Sequence, residues 1–205
     1  MKIRSMLAVA LVSLGVSTTV AQAVTLHIVD GRLLGASDVL VDGTYYDVQF
    51  KDGTCIELFA NCDQVSDFTF QTMLAATAAS QALLDQVLLD IDPLHQFDTD
   101  VTLVGAIKAI SGDISQMAIR TPFYTVADRS VLDVMRAVNS VRAGADYVDW
   151  RSFDGAHNSS TAVEIDEIYA VWAPVAAVPL PAGAWLLLSG LAGMAGLRRW
   201  KRHAA

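Results

Sequence analysis

Nucleophiles, metal ligands and acid–base groups are thinly scattered along this chain of 205 residues. His27, His95 and His157 stand singly, His203 lies close to the C-terminal end, and no H-E-x-x-H pair is present to hold zinc. A serine hydrolase would need a G-x-S-x-G elbow, which the chain lacks, and Ser189 sits inside an apolar run. Aspartates are plentiful. Asp90 with Asp92, Asp98 with Asp100, and Asp146 with Asp149 and Asp154 could offer hard oxygen ligands to calcium, but none follows the twelve-residue EF-hand spacing. Helix termination, a capping turn before Val101 and a solvated strand face account for the three groups without a metal. Tyr147, Trp150, Phe153 and Trp172 lie near one another in sequence and could stack on a sugar ring, or fill a core as strand aromatics usually do. The residues alone therefore assign no catalytic, cofactor-binding or metal-binding role.

Cys55 and Cys62 are the only cysteines. Zinc would want four ligands, and a redox centre would want C-x-x-C, so a structural disulfide is the expected use of the pair. The short loop it closes limits the stabilisation to roughly 2–3 kcal/mol.

The two ends of the chain carry the clearest signals. Lys2 and Arg4 open a basic stretch, residues 6–16 are apolar, and Ala21, Gln22 and Ala23 form an A-x-A site for a signal peptidase. An apolar helix of that length reaches only about 17 Å, too short for a bilayer core of roughly 30 Å, so cleavage with Val24 as the new amino terminus is expected. At the other end Val178, Pro179, Leu180, Pro181 and Ala182 precede an apolar segment over residues 183–197, and Arg198, Arg199, Lys201 and Arg202 follow as a positive stop. That order keeps the basic cluster cytoplasmic and the body outside, in agreement with the signal peptide. The apolar segment gives roughly 22 Å of helix, a marginal span for a permanent anchor.

The string VPLPAGAWLLLSGLAGMAGLRRWKR resembles the VPLPA form of the PEP-CTERM sorting tails, which are substrates of exosortases in Gram-negative bacteria. The resemblance covers about 25 residues, and Leu180 stands where the commoner form has glutamate. It implies recognition of Val178 to Ala182 by a membrane-embedded cysteine transpeptidase, which cuts near the proline motif and passes the protein onward. A second stretch, DVLVDGTYYDVQFKDGTCIELFANCD with the helix ending ALLDQVLLD, is similar to an amino-terminal segment of other proteins bearing these tails. It supplies no catalytic residue.

Between the ends, residues 25–29 read as a strand, and residues 39–41 and 44–50 read as a hairpin around Asp42 and Gly43. Thr44, Tyr46, Val48 and Phe50 share one face by the two-residue period. Residues 69–90 predict one amphipathic helix with Phe70, Met73, Leu74, Ala78, Leu84, Val87, Leu88 and Ile91 on its apolar side, interrupted by Thr77 and Gln81 and stopped by Asp92 and Pro93. The simplest arrangement docks that helix on the hairpin. Residues 101–110 suggest a short helix, residues 116–126 a strand interrupted by Pro122, and residues 131–142, 146–153 and 161–172 strands, with residues 154–160 a loop. In the last strand Val163, Ile165, Tyr169 and Val171 are expected on one face.

The expected fold is α+β, mainly antiparallel sheet with one clear amphipathic helix, flanked by a signal peptide (1–23) and a sorting tail (174–205) around an exported domain (24–173). All 22 acidic residues lie between Asp30 and Glu167 with only eight basic ones, so the body carries about −14. Such a field excludes nucleic acid as a partner and favours solubility. The function expected is that of a non-enzymatic envelope, surface or extracellular-matrix protein without cofactor. Its partners are the secretion machinery and signal peptidase, an exosortase-like transpeptidase, the membrane through the C-terminal helix, and extracellular polysaccharide. It is held transiently at the inner membrane, with the body periplasmic, before reaching the surface or medium. The alternative is a membrane-anchored envelope hydrolase or a polysaccharide-binding protein.

Overall fold

A computed structural model describes residues 23–106, 114–142 and 145–175. Ala21 of the signal site, the motif from Val178 to Ala182, the stop at Arg198, Arg199, Lys201 and Arg202, and the end of the helix expected over residues 101–110 lie outside the described residues. The body is α+β and mostly antiparallel. Strands β1 (Thr25–Val29), β2 (Arg32–Val41) and β3 (Thr44–Lys51) form a meander; the short helix α1 (Cys55–Leu58) and the main helix α2 (Met73–Gln86) follow. A two-stranded ribbon, β4 (Asp90–Asp92) with β5 (His95–Gln96), precedes β6 (Gln116–Thr125), β7 (Val131–Ser140), β8 (Tyr147–Asp154) and β9 (Glu167–Pro174). The large sheet has the order β1-β2-β3-β9-β6-β7-β8. Among the described strands of this sheet, β6 pairs with β9 in parallel and the other pairs are antiparallel. The final strand thus closes the sheet between two hairpin-built halves.

Turn chemistry explains the first half. Asp42 and Gly43 both take positive φ, 46° and 81°, as a type I′ hairpin turn requires. Gly35 has φ of 150°, and a Cβ there would lie 2.2 Å from the Val48 carbonyl oxygen, so only glycine fits where β2 bends against β3.

Strand alternation gives the sheet two buried faces. Ile168, Ala170 and Trp172 of β9 point to one side with Met117, Ile119, Met135, Ala137, Val48 and Phe50, forming the main core beneath α2. Glu167, Tyr169 and Val171 point to the other, with Leu132 and Val134, under a lid made by α1 and the disulfide loop. Sequence periodicity did not announce this second face, because strands buried on both sides lose alternation in polarity.

Helix α2 starts where Thr72 accepts a hydrogen bond from Ala75 N (3.2 Å) and packs across β7, β6 and β2, not on the first hairpin alone. Its buried side is Ala76, Ala79, Ser80, Leu83 and Leu84, continued by Val87 and Leu88. Met73 and Leu74, assigned to the apolar face from sequence, are exposed, Leu74 by 80%. The buried face carries the small Ala76, Ala79 and Ser80 in its first half and Leu83 and Leu84 in its last turn. The helix also ends before Asp92 and Pro93. Val87 N and Leu88 N both donate to Leu83 O (3.0 and 2.9 Å), closing it at Gln86, and Pro93 instead serves the β4–β5 turn.

Other expectations shift in the same way. Residues Val101–Leu103 form a single 3-10 turn capped by Asp100, whose carboxylate accepts from Thr102 N (3.0 Å). β6 continues through Pro122, with a register shift between Pro122 and Tyr124 absorbing the missing donor. Thr161–Val163 is a 3-10 turn, so Val163 and Ile165 precede β9; Tyr169 and Val171 do share a face. The loop expected over residues 154–160 contains the 3-10 turn Ala156–Asn158. Among the described residues no helix is long and apolar enough to cross a membrane.

Candidate functional site

The disulfide lid and the ionic cluster beside it are the most elaborated part of the body. Cys55 and Cys62 are bonded, with Cα atoms 5.7 Å apart, and both are fully buried. Thr54 caps α1 reciprocally with Glu57, and Ala60, Asn61 and Cys62 all hold positive φ (39°, 77° and 54°). Left-handed backbone is costly at non-glycine residues, and the covalent loop helps to offset it. The disulfide therefore holds a turn that the sequence does not favour. Phe59 and Phe68 stack edge-on at 5.6 Å, and Phe59 meets Tyr169 at the same distance.

Beyond those rings lies a charged network that sequence reading missed. Cross-strand register sets Arg120 of β6 opposite Arg136 of β7, and Arg136 opposite Asp149 of β8. Arg136 grips Asp149 with two parallel bonds, Nε to Oδ1 at 2.8 Å and Nη2 to Oδ2 at 2.7 Å, while its Nη1 donates to Glu167 Oε1 at 2.9 Å. Arg120 pairs with the other oxygen of Glu167. The Arg120 guanidinium also lies 4.3 Å from the Phe153 ring centre and 5.5 Å from that of Tyr169. Two cations and two carboxylates thus balance in a largely buried space, with Arg151 joining Asp149 at the rim (3.1 Å). Burial raises the Tyr169 phenol, and the nearby Arg120 charge opposes that rise. Each carboxylate in this cluster is engaged by arginine. Its chemistry is that of a clamp. The available signal was a charged residue inside an apolar strand, in A-I-R-T and V-M-R-A.

A second buried polar pair sits under the lid: His157 Nε2 is 2.8 Å from Thr125 Oγ1, whose hydroxyl also lies 3.1 Å from Val131 O. Among the described residues no carboxylate is hydrogen-bonded to this imidazole. Burial, and then the Arg129 charge, lower the His157 pKa from its ordinary value. The native state then takes up fewer protons than the unfolded chain below about pH 6.5, and stability present above that pH is lost as pH falls. A single proton limits this loss to about 1.4 kcal/mol per pH unit. Urea unfolding at pH 7 and pH 5.5 is expected to show the drop in the parent, and a smaller one in His157→Gln; equal slopes would exclude His157 as the source.

The aspartates named from sequence are placed as follows. Asp90 accepts from Asp98 N, Thr99 N and Thr99 Oγ1; Asp92 holds His95 Nδ1 at 2.9 Å; Asp146 caps Ser140 N at 2.8 Å; Asp149 belongs to the clamp. Asp98 is brought near Asp146 and Asp90, and its carboxyl rises above the usual range through burial first and these neighbours second. Asp154 ends β8 opposite Val131. Among the described residues no group of three or more His, Cys, Asp or Glu is placed to hold a metal ion. The four aromatics are not brought together either. Trp172 is buried against Tyr46 and Phe70 and donates to Thr121 (3.2 Å), Phe153 lies under Arg120, and Tyr147 and Trp150 point to opposite faces of β8. A shallow depression of about 320 Å³ is lined by His27, Val29, Leu34, Gln49, Phe50 and Lys51.

No protein-family model, curated protein or solved structure matches this chain.

Proposed function

We propose that this chain is a non-enzymatic protein of the bacterial cell envelope, surface or extracellular matrix, exported through its amino-terminal signal and sorted through its VPLPA-type tail by an exosortase-like transpeptidase. The observation that carries the reading is the ordered tail itself: Val178, Pro179, Leu180, Pro181 and Ala182, then the apolar segment, then Arg198, Arg199, Lys201 and Arg202. The body supports it in two ways. A buried disulfide suits an oxidising compartment outside the cytoplasm, and the carboxylates of its largest polar cluster are committed to arginines. In this account the transpeptidase supplies the chemistry and the body supplies a stable exported domain.

The test is the intact mass of the protein from membrane and medium fractions, in parent cells and in cells lacking the transpeptidase. Loss of the tail near Pro181 only when that enzyme is present, and its retention when Pro179 and Pro181 are both replaced by alanine, are the expected results. An intact tail in all fractions would reject sorting and leave a plain membrane anchor.

A further inference from the structure

We propose that the outer edge of β8 is a self-association surface on which a second copy of this chain pairs antiparallel about a two-fold axis through Trp150. The two edges of the large sheet differ in how they are guarded. The first, β1, is five residues long and carries a register shift between His27 and Ile28. Where β2 extends past it, the Gln86 amide bonds both Leu40 N (3.0 Å) and Leu40 O (2.8 Å), occupying the backbone groups another strand would use. These are the devices that keep sheet edges from pairing.

The opposite edge has none of them. β8 runs eight residues in unbroken register with β7, from Val131 opposite Asp154 to Val138 opposite Tyr147, with no proline, glycine or lysine. Among the described residues no strand pairs with its outer side. Two large aromatics stand exposed on it, Trp150 by 46% and Tyr147 by 43%.

Its side chains also complement themselves in one register. For two copies to continue the sheet with like faces together, paired residues must come from the same face of β8. With Trp150 on the axis, Trp150 meets its own copy, Asp149 meets Arg151 twice, and Tyr147 meets Phe153 twice. Opposite charges and aromatic pairs directly across an antiparallel ladder are stabilising, and like charges there are not. Shifting the axis to Asp149 sets two Asp149 carboxylates against each other; shifting it to Arg151 opposes two guanidiniums. Arg151, 55% exposed, already leans on Asp149 within its own strand, so its head needs only a small swing to reach the partner strand. The central register is therefore selected by charge. This inference is independent of sorting, because β8 belongs to the body whatever becomes of the tail.

Cysteine crosslinking on the full chain, expressed in an exporting host and purified in detergent, reads the register directly. Trp150→Cys is expected to form a reducible dimer on mild oxidation, because the two residues share the axis. Ser152→Cys is expected to remain monomeric, because in this register its partner is Val148 and the two cysteines lie about 13 Å apart along the strands. Failure of Trp150→Cys to crosslink, or equal crosslinking at both positions, would overturn the proposal. Sedimentation of the unsubstituted chain across a concentration series supplies a measure free of new cysteines. A monomer–dimer equilibrium weakened several-fold by Arg151→Glu is expected, and a monomer throughout, or a dimer indifferent to that change, would refute it.

Discussion

Glu167→Gln is expected to lower unfolding stability by about 3–5 kcal/mol, measured by equilibrium urea denaturation at neutral pH. The carboxylate is shared by two guanidiniums, with Arg120 and Arg136 each paired to one oxygen, in a place where all three residues are largely buried. An amide keeps the size and offers one carbonyl acceptor, but it removes the charge that offsets two cations of low solvent access. Arg136 would still have Asp149, whereas the Phe153 and Tyr169 rings beside Arg120 do not balance a full charge. The contrast is the half-buried pair of Arg129 with Asp63 (3.4 Å), where Arg129→Ala should cost about 1 kcal/mol. If both substitutions cost the same, the network is a surface feature and the clamp reading fails. The location adds a reason for the large effect. The four charged groups sit on β6, β7, β8 and β9, across the parallel junction that closes the sheet, so the cluster ties β9, which no hairpin joins to β6, to the β6–β7–β8 meander.

Much of the sheet was legible in sequence because local chemistry determines it. Asp42 and Gly43 specify one turn, and the residues flanking them alternate; the strands expected over residues 116–126, 131–142 and 146–153 correspond to β6, β7 and β8. What could not be read was pairing between distant segments. Nothing in the run from Glu167 to Pro174 states that it inserts between β3 and β6, parallel to one and antiparallel to the other. That insertion places Glu167 beside Arg120 and Arg136, so the charged clamp was invisible for the same reason. The main helix illustrates a second limit. Leu74 reads as a core residue by hydrophobicity, yet the sheet accepts the side of the helix that carries Ala76, Ala79, Leu83 and Leu84 and leaves Leu74 in solvent. Cys55 and Cys62 were readable because the alternatives need ligands the chain lacks, and the structure bonds them. Asp100 caps the turn at Val101 as its position in the sequence implies, and Asp90, Asp92 and Asp146 likewise accept from nearby backbone donors.

The segment between the ribbon and β6 had no assigned core residue, and Phe97 proves to be its anchor. Phe97→Ala is expected to cost about 3–5 kcal/mol, the range for removing a fully buried aromatic ring, and Phe97→Leu under about 1.5 kcal/mol. Phe97 has no solvent exposure, packs in the main core, and passes its carbonyl to the Asn139 amide (Nδ2 to O, 2.6 Å) from β7. Around it, Asp100 N donates to Gln96 O (2.7 Å), and the Asp90 carboxylate holds the Asp98 and Thr99 amides. Those bonds are exposed and local; the ring, together with the fully buried Val101 and Val104, packs the segment into the core. Without the ring, the Asn139 side chain, itself fully buried, also loses the geometry of its one anchored bond, and an unmet buried amide adds to the cavity cost. Urea denaturation of the two variants separates these terms: leucine fills most of the space and keeps the backbone in place, so the Asn139 bond survives. A Phe97→Ala variant within about 1 kcal/mol of the parent would mean that the segment unfolds from the core at little cost. Val101, Val104 and the bond from Gly105 N to Leu33 O, and not the aromatic ring, would then be its hold on the sheet.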